Sequence, residues 1–239
     1  MKPYLSIIIP TLNEEKHLQR TIEEVRNRAS GFSEIEVIVI DSGSTDGTQE
    51  LAEKMGVRCE KQSEFAGGKY KSLNHGAEKA KGDLLLFLDA DSIVPQGFDQ
   101  TIAATLRSNN TIAGAFDFYL DNRGLSYRII EWLNKMRYRV DGFHFGDQGI
   151  FCTKKAFDIV GGFPPEPIME AAFFCKKAKK HGKIKLVKQP MITSARRLET
   201  NGAWKVFFSD TWIYLHFLLG LNVRKFASNY WDENKKRMW

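Results

Sequence analysis

Three largely apolar runs, the first two rich in β-branched residues and each cut off by a polar cluster, limit what this chain can fold into. Residues 5–9 stop at Pro10-Thr11-Leu12-Asn13-Glu14, residues 36–40 at Asp41-Ser42-Gly43-Ser44-Thr45-Asp46, and residues 84–88 at Asp89-Ala90-Asp91. Runs without a polar alternate position suit strands covered on both faces. Helical patterns separate them. Leu18, Ile22, Val25 and Ala29 step along one charged helix. A second follows Ser44-Thr45-Asp46 and stops at Gly56, and a third carries Leu73, Ala77 and Ala80 and ends by Gly82. Strand–helix alternation of this kind predicts a mostly parallel α/β sheet.

Beyond residue 110 the pattern changes. Ile112, Gly114, Phe116, Phe118 and Leu120 recur with a period of two, which predicts a strand with one face open. Short strands are expected over residues 149–152, 184–187 and 191–194, with helices near 127–139 and 169–180. No repeat, low-complexity segment or linker interrupts the chain, so its 239 residues read as one continuous domain. An aromatic helix over residues 201–221 closes the pattern.

Composition narrows the classes. An apolar content of 43% excludes a disordered chain. Cys59, Cys152 and Cys175 are too few and scattered for a disulfide framework or a zinc site, and read as thiols in a reducing compartment. The first run is too short for a secretory signal, and residues 206–221 carry Asp210 and His216 and fall short of a membrane span. A soluble, cytoplasmic protein is expected. The net charge of +6 favours anionic partners.

In parallel α/β sheets, ligands bind beyond the carboxyl ends of the strands, where the three polar clusters converge. A lone carboxylate there is often a helix cap, and Asp46 reads as one. Asp89 and Asp91, one residue apart after a buried run, face the same way and suit a hard divalent cation or a ribose hydroxyl.

These residues resemble a known family. Ser6-Ile-Ile-Ile-Pro-Thr-Leu-Asn-Glu-Glu15, Ile40-Asp-Ser-Gly-Ser-Thr-Asp-Gly-Thr48, Asn74-His-Gly76, Gly82-Asp-x₃-Phe-Leu-Asp-Ala-Asp91 and Gly161-Gly-Phe163 look like family-2 glycosyltransferases of the GT-A fold. Gly146-Asp-Gln-Gly149, Pro167-Ile-Met-Glu170 and Thr193-Ser-Ala-Arg-Arg197 resemble a bacterial and archaeal branch of that family. The resemblance implies a Rossmann-like, mostly parallel sheet with helices on both faces and a small antiparallel addition. It implies a domain over residues 1–200, divided into a donor half (1–92) and an acceptor half (93–200), with a helical extension over 201–239 packed on it.

It further implies inverting transfer from a nucleotide diphosphate-sugar, assisted by Mn²⁺ or Mg²⁺. Pro10, Thr11, Asn13, Glu14 and Asp41 would line base and ribose, with uracil or guanine suiting Asp41. Asp89 and Ala90 would bind the donor beside them, Asp91 the metal, and Lys71 and Asn74 the sugar or phosphates. Ser42 stands where many members have a second aspartate. The usual base aspartate is missing, because the expected Glu-Asp pair reads Glu170-Ala171. Three readings follow. Glu170 or Asp147 substitutes as base, the protein binds donor without efficient transfer, or the alanine is a deliberate disabling change. A nucleotidyltransferase is disfavoured by the missing Gly-rich phosphate loop after the first strand.

Other residues are ambiguous by sequence. His17 and His181 read as solvated, while His75 and His144 neighbour candidate loops. Arg196 and Arg197 suit either a phosphate clamp or a basic surface pair. The lysines from Lys176 to Lys188 suit a solvated face or anionic lipid, and lack the aromatic platform that nucleic acid needs. Trp204, Phe207, Phe208, Trp212 and their neighbours spread around the closing helix. With Lys205, Arg224, Lys225, Lys235, Lys236 and Arg237 they suit packing, a homodimer contact, or the inner face of a membrane carrying a lipid-linked acceptor.

Overall fold

The computed structural model describes residues 4–62 and 68–230. Strands β1 (Tyr4–Thr11), β2 (Glu34–Asp41), β3 (Arg58–Lys61) and β4 (Leu84–Phe87) lie parallel, with β1 between β2 and β4 and β3 beyond β2. β5 (Ser92–Ile93), β6 (Thr111–Leu120), β7 (Phe151–Thr153) and β8 (Lys183–Thr193) continue the same sheet. Its order among the described residues is β3-β2-β1-β4-β7-β6-β8-β5, with β7 antiparallel to both neighbours and β5 antiparallel to β8. The mixed, mostly parallel α/β sheet agrees with the sequence reading.

The pleat sorts side chains to two cores. Leu5, Ile7 and Ile9 meet α1 (Glu15–Arg28), α2 (Thr48–Lys54) and α4 (Phe98–Leu106) on one face. Ile8, Ile38 and Ile40 meet α3 (Tyr70–Lys79), α6 (Lys154–Val160) and α7 (Glu170–Ala178) on the other. α5 (Leu125–Asp141), α8 (Arg196–Asn201) and α9 (Ala203–Leu218) complete the fold, with Ile213, Tyr214 and Phe217 of α9 packed on Ile168 and Ala172.

Several expectations are corrected. β6 is covered on both faces, because Ala113 and Ala115 leave room for α7 while Phe116 fills the opposite core. The two short strands expected over 184–187 and 191–194 form one strand, β8, with a register irregularity opposite Phe116 and Asp117 that absorbs Lys188 and Gln189. The strand expected over 149–152 begins two residues later, since Gly149 takes φ 58°. The closing helix is interrupted at Gly202, whose φ of 85° separates α8 from α9. His17 is half-buried in an ion network rather than solvated. Lys235, Lys236 and Arg237 lie outside the described residues.

Candidate active site

Parallel register brings the polar clusters together. Thr11 pairs with Asp41 across β1 and β2, and the Leu88 N–H donates to the Ile8 carbonyl, so the three strand ends are adjacent. Part of the polar content then builds the loops themselves. Asp41 is fully buried and accepts from the Gly43 and Ser44 amides (3.1 and 2.9 Å), the Gln49 side-chain amide (2.6 Å), and the Thr11 and Ser44 hydroxyls. Asn13 adopts a left-handed backbone (φ 55°), and its side-chain carbonyl accepts the Thr45 amide at 2.7 Å. Asp46 is not the helix cap expected, since Gly47 holds the N-cap position of α2; from one residue earlier it accepts the Thr48 and Glu15 amides at 3.1 and 3.2 Å and ties the starts of α2 and α1 together.

Beyond the strand ends lies a cavity of about 340 Å³. Pro10, Thr11, Glu14, Asp89, Ala90 and Asp91 form one wall. Lys69, Asp147, Glu170, Ala171, Arg196 and Arg197 face it from other elements. Inner faces of α5 and α9 close the far side through Ile130, Arg137, Tyr138, Phe207 and Asp210. Thus the cavity joins a charged floor to a partly apolar roof.

The charges are paired across long sequence separations. Lys69 Nζ lies 2.9 Å from Asp89 Oδ1. Arg196 binds Glu14 at 2.5 and 2.9 Å and Asp91 at 3.1 Å, with His17 Nδ1 3.1 Å away. Burial alone would lower the Lys69 pKa, but Asp89 and Glu170 beside it hold it above the usual lysine range. Burial alone would raise Glu14, but hydrogen bonds from His17 and Arg196 hold it low. Asp91 is pushed up to about 6 by burial, which outweighs Arg196. Burial and the nearby Asp89 push Asp147 up to about 7, against Arg137 and Lys69. Burial also raises Glu170, with Lys69 opposing. Two carboxyl groups inside the cavity therefore titrate near neutrality, where a proton acceptor is most useful.

Four residues expected at the site do not line the cavity: Asn13, Asp41, Lys71 and Asn74. Lys71 is exposed on the outside of α3, two residues and so about half a turn from the lysine that does reach the cavity, Lys69. Asn74 gives its amide hydrogen to the Phe163 carbonyl (2.8 Å) and accepts the Phe163 amide (2.9 Å). The Asn74-His-Gly76 and Gly161-Gly-Phe163 motifs are thereby docked on each other. Gly162 allows it, because a Cβ there would lie 2.8 Å from Asn74 Oδ1, while Gly76 lets α3 lie against β1, where a Cβ would come 2.3 Å from Ile8 Cγ2. Glu170 follows Met169, whose left-handed backbone (φ 63°) is strained for a side chain of that size and opens α7 directly on the cavity. Ala171 is only 3% exposed and lines the cavity.

Lys69, Arg137, Asp210 and Tyr230 line the cavity without having been singled out by the sequence. Asp210 holds Arg197 through both carboxylate oxygens at 2.7 and 2.8 Å, and Arg137 lies over the Phe145 and Tyr214 rings. None sits in a motif; only the aromatic density around residue 210 hinted at that wall.

A mostly parallel sheet, with acidic residues after β4 facing a cavity at the strand ends, defines the GT-A class of glycosyltransferase folds. The family model for "Glycosyl transferase family 2" matches residues 6–159, and the chain belongs to that family. Glycosyltransferase AglE of Haloferax volcanii is 30% identical over 143 residues, covering 57% of this chain and 47% of the relative. A GalNAc(5)-diNAcBac-PP-undecaprenol beta-1,3-glucosyltransferase of Campylobacter jejuni is 30% identical over 105 residues, 42% of this chain and 33% of that one. The chain thus spans half or less of the length of these curated relatives. Among solved structures, the mannosyltransferase PcManGT of Pyrobaculum calidifontis, in complex with GDP-Man and Mn²⁺, superposes with a TM-score of 0.64 at 17% identity. That match covers 89% of this chain and 63% of that one, and shares the fold.

Proposed function

We propose that the protein transfers a sugar, with inversion, from a nucleotide diphosphate-sugar to an acceptor hydroxyl in this cavity. The observation that carries the reading is the placement of Asp147, held near neutral pKa, in one cavity with Asp89, Asp91 and the cations Lys69 and Arg196. Residues 1–92 would bind the donor and residues 93–200 the acceptor. Pro10, Thr11, Glu14, Asp89 and Ala90 contact the nucleoside, and Asp41 and Asn13 support them through the loops they hold.

Asp89 and Asp91 present hard oxygen donors of the kind Mn²⁺ and Mg²⁺ prefer, so the residues fit a divalent ion. Among the described residues no group of three or more His, Cys, Asp or Glu side chains could hold an ion by itself, so Asp89 and Asp91 would hold it together with the donor. A bound ion would offset the charge that develops on the departing diphosphate. Lys69 and Arg196 add positive charge at the same end of the cavity. Asp147 accepts the acceptor hydroxyl proton as the oxygen bonds to the anomeric carbon, and the bond from that carbon to the diphosphate breaks. Glu170 takes this role if Asp147 does not.

A lipid-linked acceptor is the substrate class we favour, supported by the undecaprenol named in the Campylobacter relative and by the apolar cavity roof. The working location would then be the inner face of a membrane. No described helix is long and apolar enough to cross one. Ala171 in the cavity wall favours a second reading, donor binding without transfer. Donor hydrolysis separates the two before any acceptor is known. The transferase reading expects nucleoside diphosphate release from a UDP- or GDP-sugar with Mn²⁺, lost in Asp147→Asn; binding without release would leave the second reading.

A further inference from the structure

Thirteen large apolar side chains stand out as exposed among the described residues, and only Ile159 lies away from α5, α9 and the turn after α9. On α5, Leu125, Ile129, Trp132, Met136 and Val140 follow one another at steps of four, three, four and four, which draws one stripe along the helix. The opposite side of α5 carries Ile130, Arg137 and Tyr138 into the cavity wall. α9 repeats the arrangement. Trp204, Phe208, Trp212, Leu215 and Leu219 follow its outer face, while Val206, Ile213 and Phe217 are buried beneath. The two helices touch through the Tyr214–Asp141 hydrogen bond and through Arg137 over the Tyr214 ring.

Charge on these helices is asymmetric. Their acidic residues are engaged: Glu131 is buried against the Leu120 amide, Asp141 accepts from Tyr214, and Asp210 pairs with Arg197. The exposed charges on the helices themselves are basic, Arg139 and Lys205, and those beside them are mainly so: Arg123, Arg224 and Lys225 against Asp121 and Glu199. Two apolar stripes with tryptophans and a mainly basic fringe match an anionic bilayer surface, where indole rings settle at headgroup level. A second copy of the same face would set one mainly basic fringe against another.

We propose that the outer faces of α5 and α9 dock the protein on an anionic membrane surface. This gives the preceding functional reading a partner. The inner faces of the same helices form the cavity roof, so docking sets the acceptor side of the cavity against the lipid. The docking itself requires no donor and no turnover, so it stands or falls separately from transfer.

The test is sedimentation of the full chain with phosphatidylcholine vesicles and with phosphatidylcholine–phosphatidylglycerol vesicles. Binding is expected with the second and not the first. It should be released at about 1 M salt, where screening shortens the Debye length to about 3 Å. Trp132→Glu with Trp212→Glu, at positions 59% and 57% exposed and outside the cavity wall, should lower the bound fraction at least tenfold. Ile159→Glu, at a position 51% exposed on α6, should bind like the parent. Unchanged melting temperatures verify that the variants fold. Absence of vesicle binding, binding indifferent to the tryptophan changes, or a stable dimer that those changes dissociate without vesicle binding would each overturn the proposal.

Discussion

Asp147 and Ala171 divide the question of the base between them. With its pKa near 7, Asp147 can accept a proton at neutral pH, so donor hydrolysis should rise with pH through about 7. Asp147→Asn should remove that limb and slow turnover by about 10²-fold or more with donor affinity little changed, because a base acts in the transition state. If Asp147 does this work, Ala171→Asp gives no large gain; a gain of about 10²-fold would mark the parent as disabled. Stability supplies a second signature. The folded pKa lies above the ordinary 3.8, so this group favours the fold at low pH and loses that contribution as pH rises to about 7. The melting temperature of Asp147→Asn, measured against the parent, should therefore gain with pH between about 4 and 7 and level off above; an offset constant with pH would contradict the assignment. Glu14, Asp89 and Asp91 were legible because each follows a buried run. Arg196 was legible only as an ambiguous cation, since its partner Glu14 is 182 residues away and pairing across that distance leaves no local pattern.

At the scale of elements, the apolar runs were legible because β4, most of β1 and the second half of β2 are buried on both faces. β3 left almost no trace. Its Arg-Cys-Glu-Lys sequence is a sheet edge fixed by pairing with β2, not by its own hydrophobicity. β6 misled, since alanines facing α7 look like the exposed alternate of a half-open strand. The contact between α3 and the Gly161-Gly-Phe163 turn shows why a motif need not touch ligand. Asn74→Ala leaves the Phe163 amide and carbonyl without partners, which should cost about 1–3 kcal/mol in urea unfolding with donor affinity unchanged. A large loss of donor affinity at full stability would return Asn74 to the sugar. Gly76→Ala forces a methyl against Ile8 and should cost about 1–3 kcal/mol by the same measurement.

Across the whole molecule, the cavity belongs to no single stretch of sequence. Its floor comes from loops after β1 and β4, its candidate base from the turn before β7, and its roof from α5 in mid-chain and α9 near its end. Sequence order hides this convergence, which the sheet order creates by placing β7, β6 and β8 beside β4. Only the floor lies in the segment with the strongest motifs, so acceptor-side residues such as Asp210 and Arg137 emerged from the fold alone. The central claim is that this assembled cavity holds a nucleotide diphosphate-sugar through Asp89 and Asp91 with a divalent ion. Calorimetric titration of the parent with UDP- and GDP-sugars, with Mn²⁺ and with EDTA, tests it most directly, alongside Asp91→Asn. Saturable binding of one donor class that weakens at least tenfold with EDTA or in Asp91→Asn is the expected result. No binding of any nucleotide-sugar at millimolar concentration, or binding indifferent to both EDTA and the substitution, would contradict it.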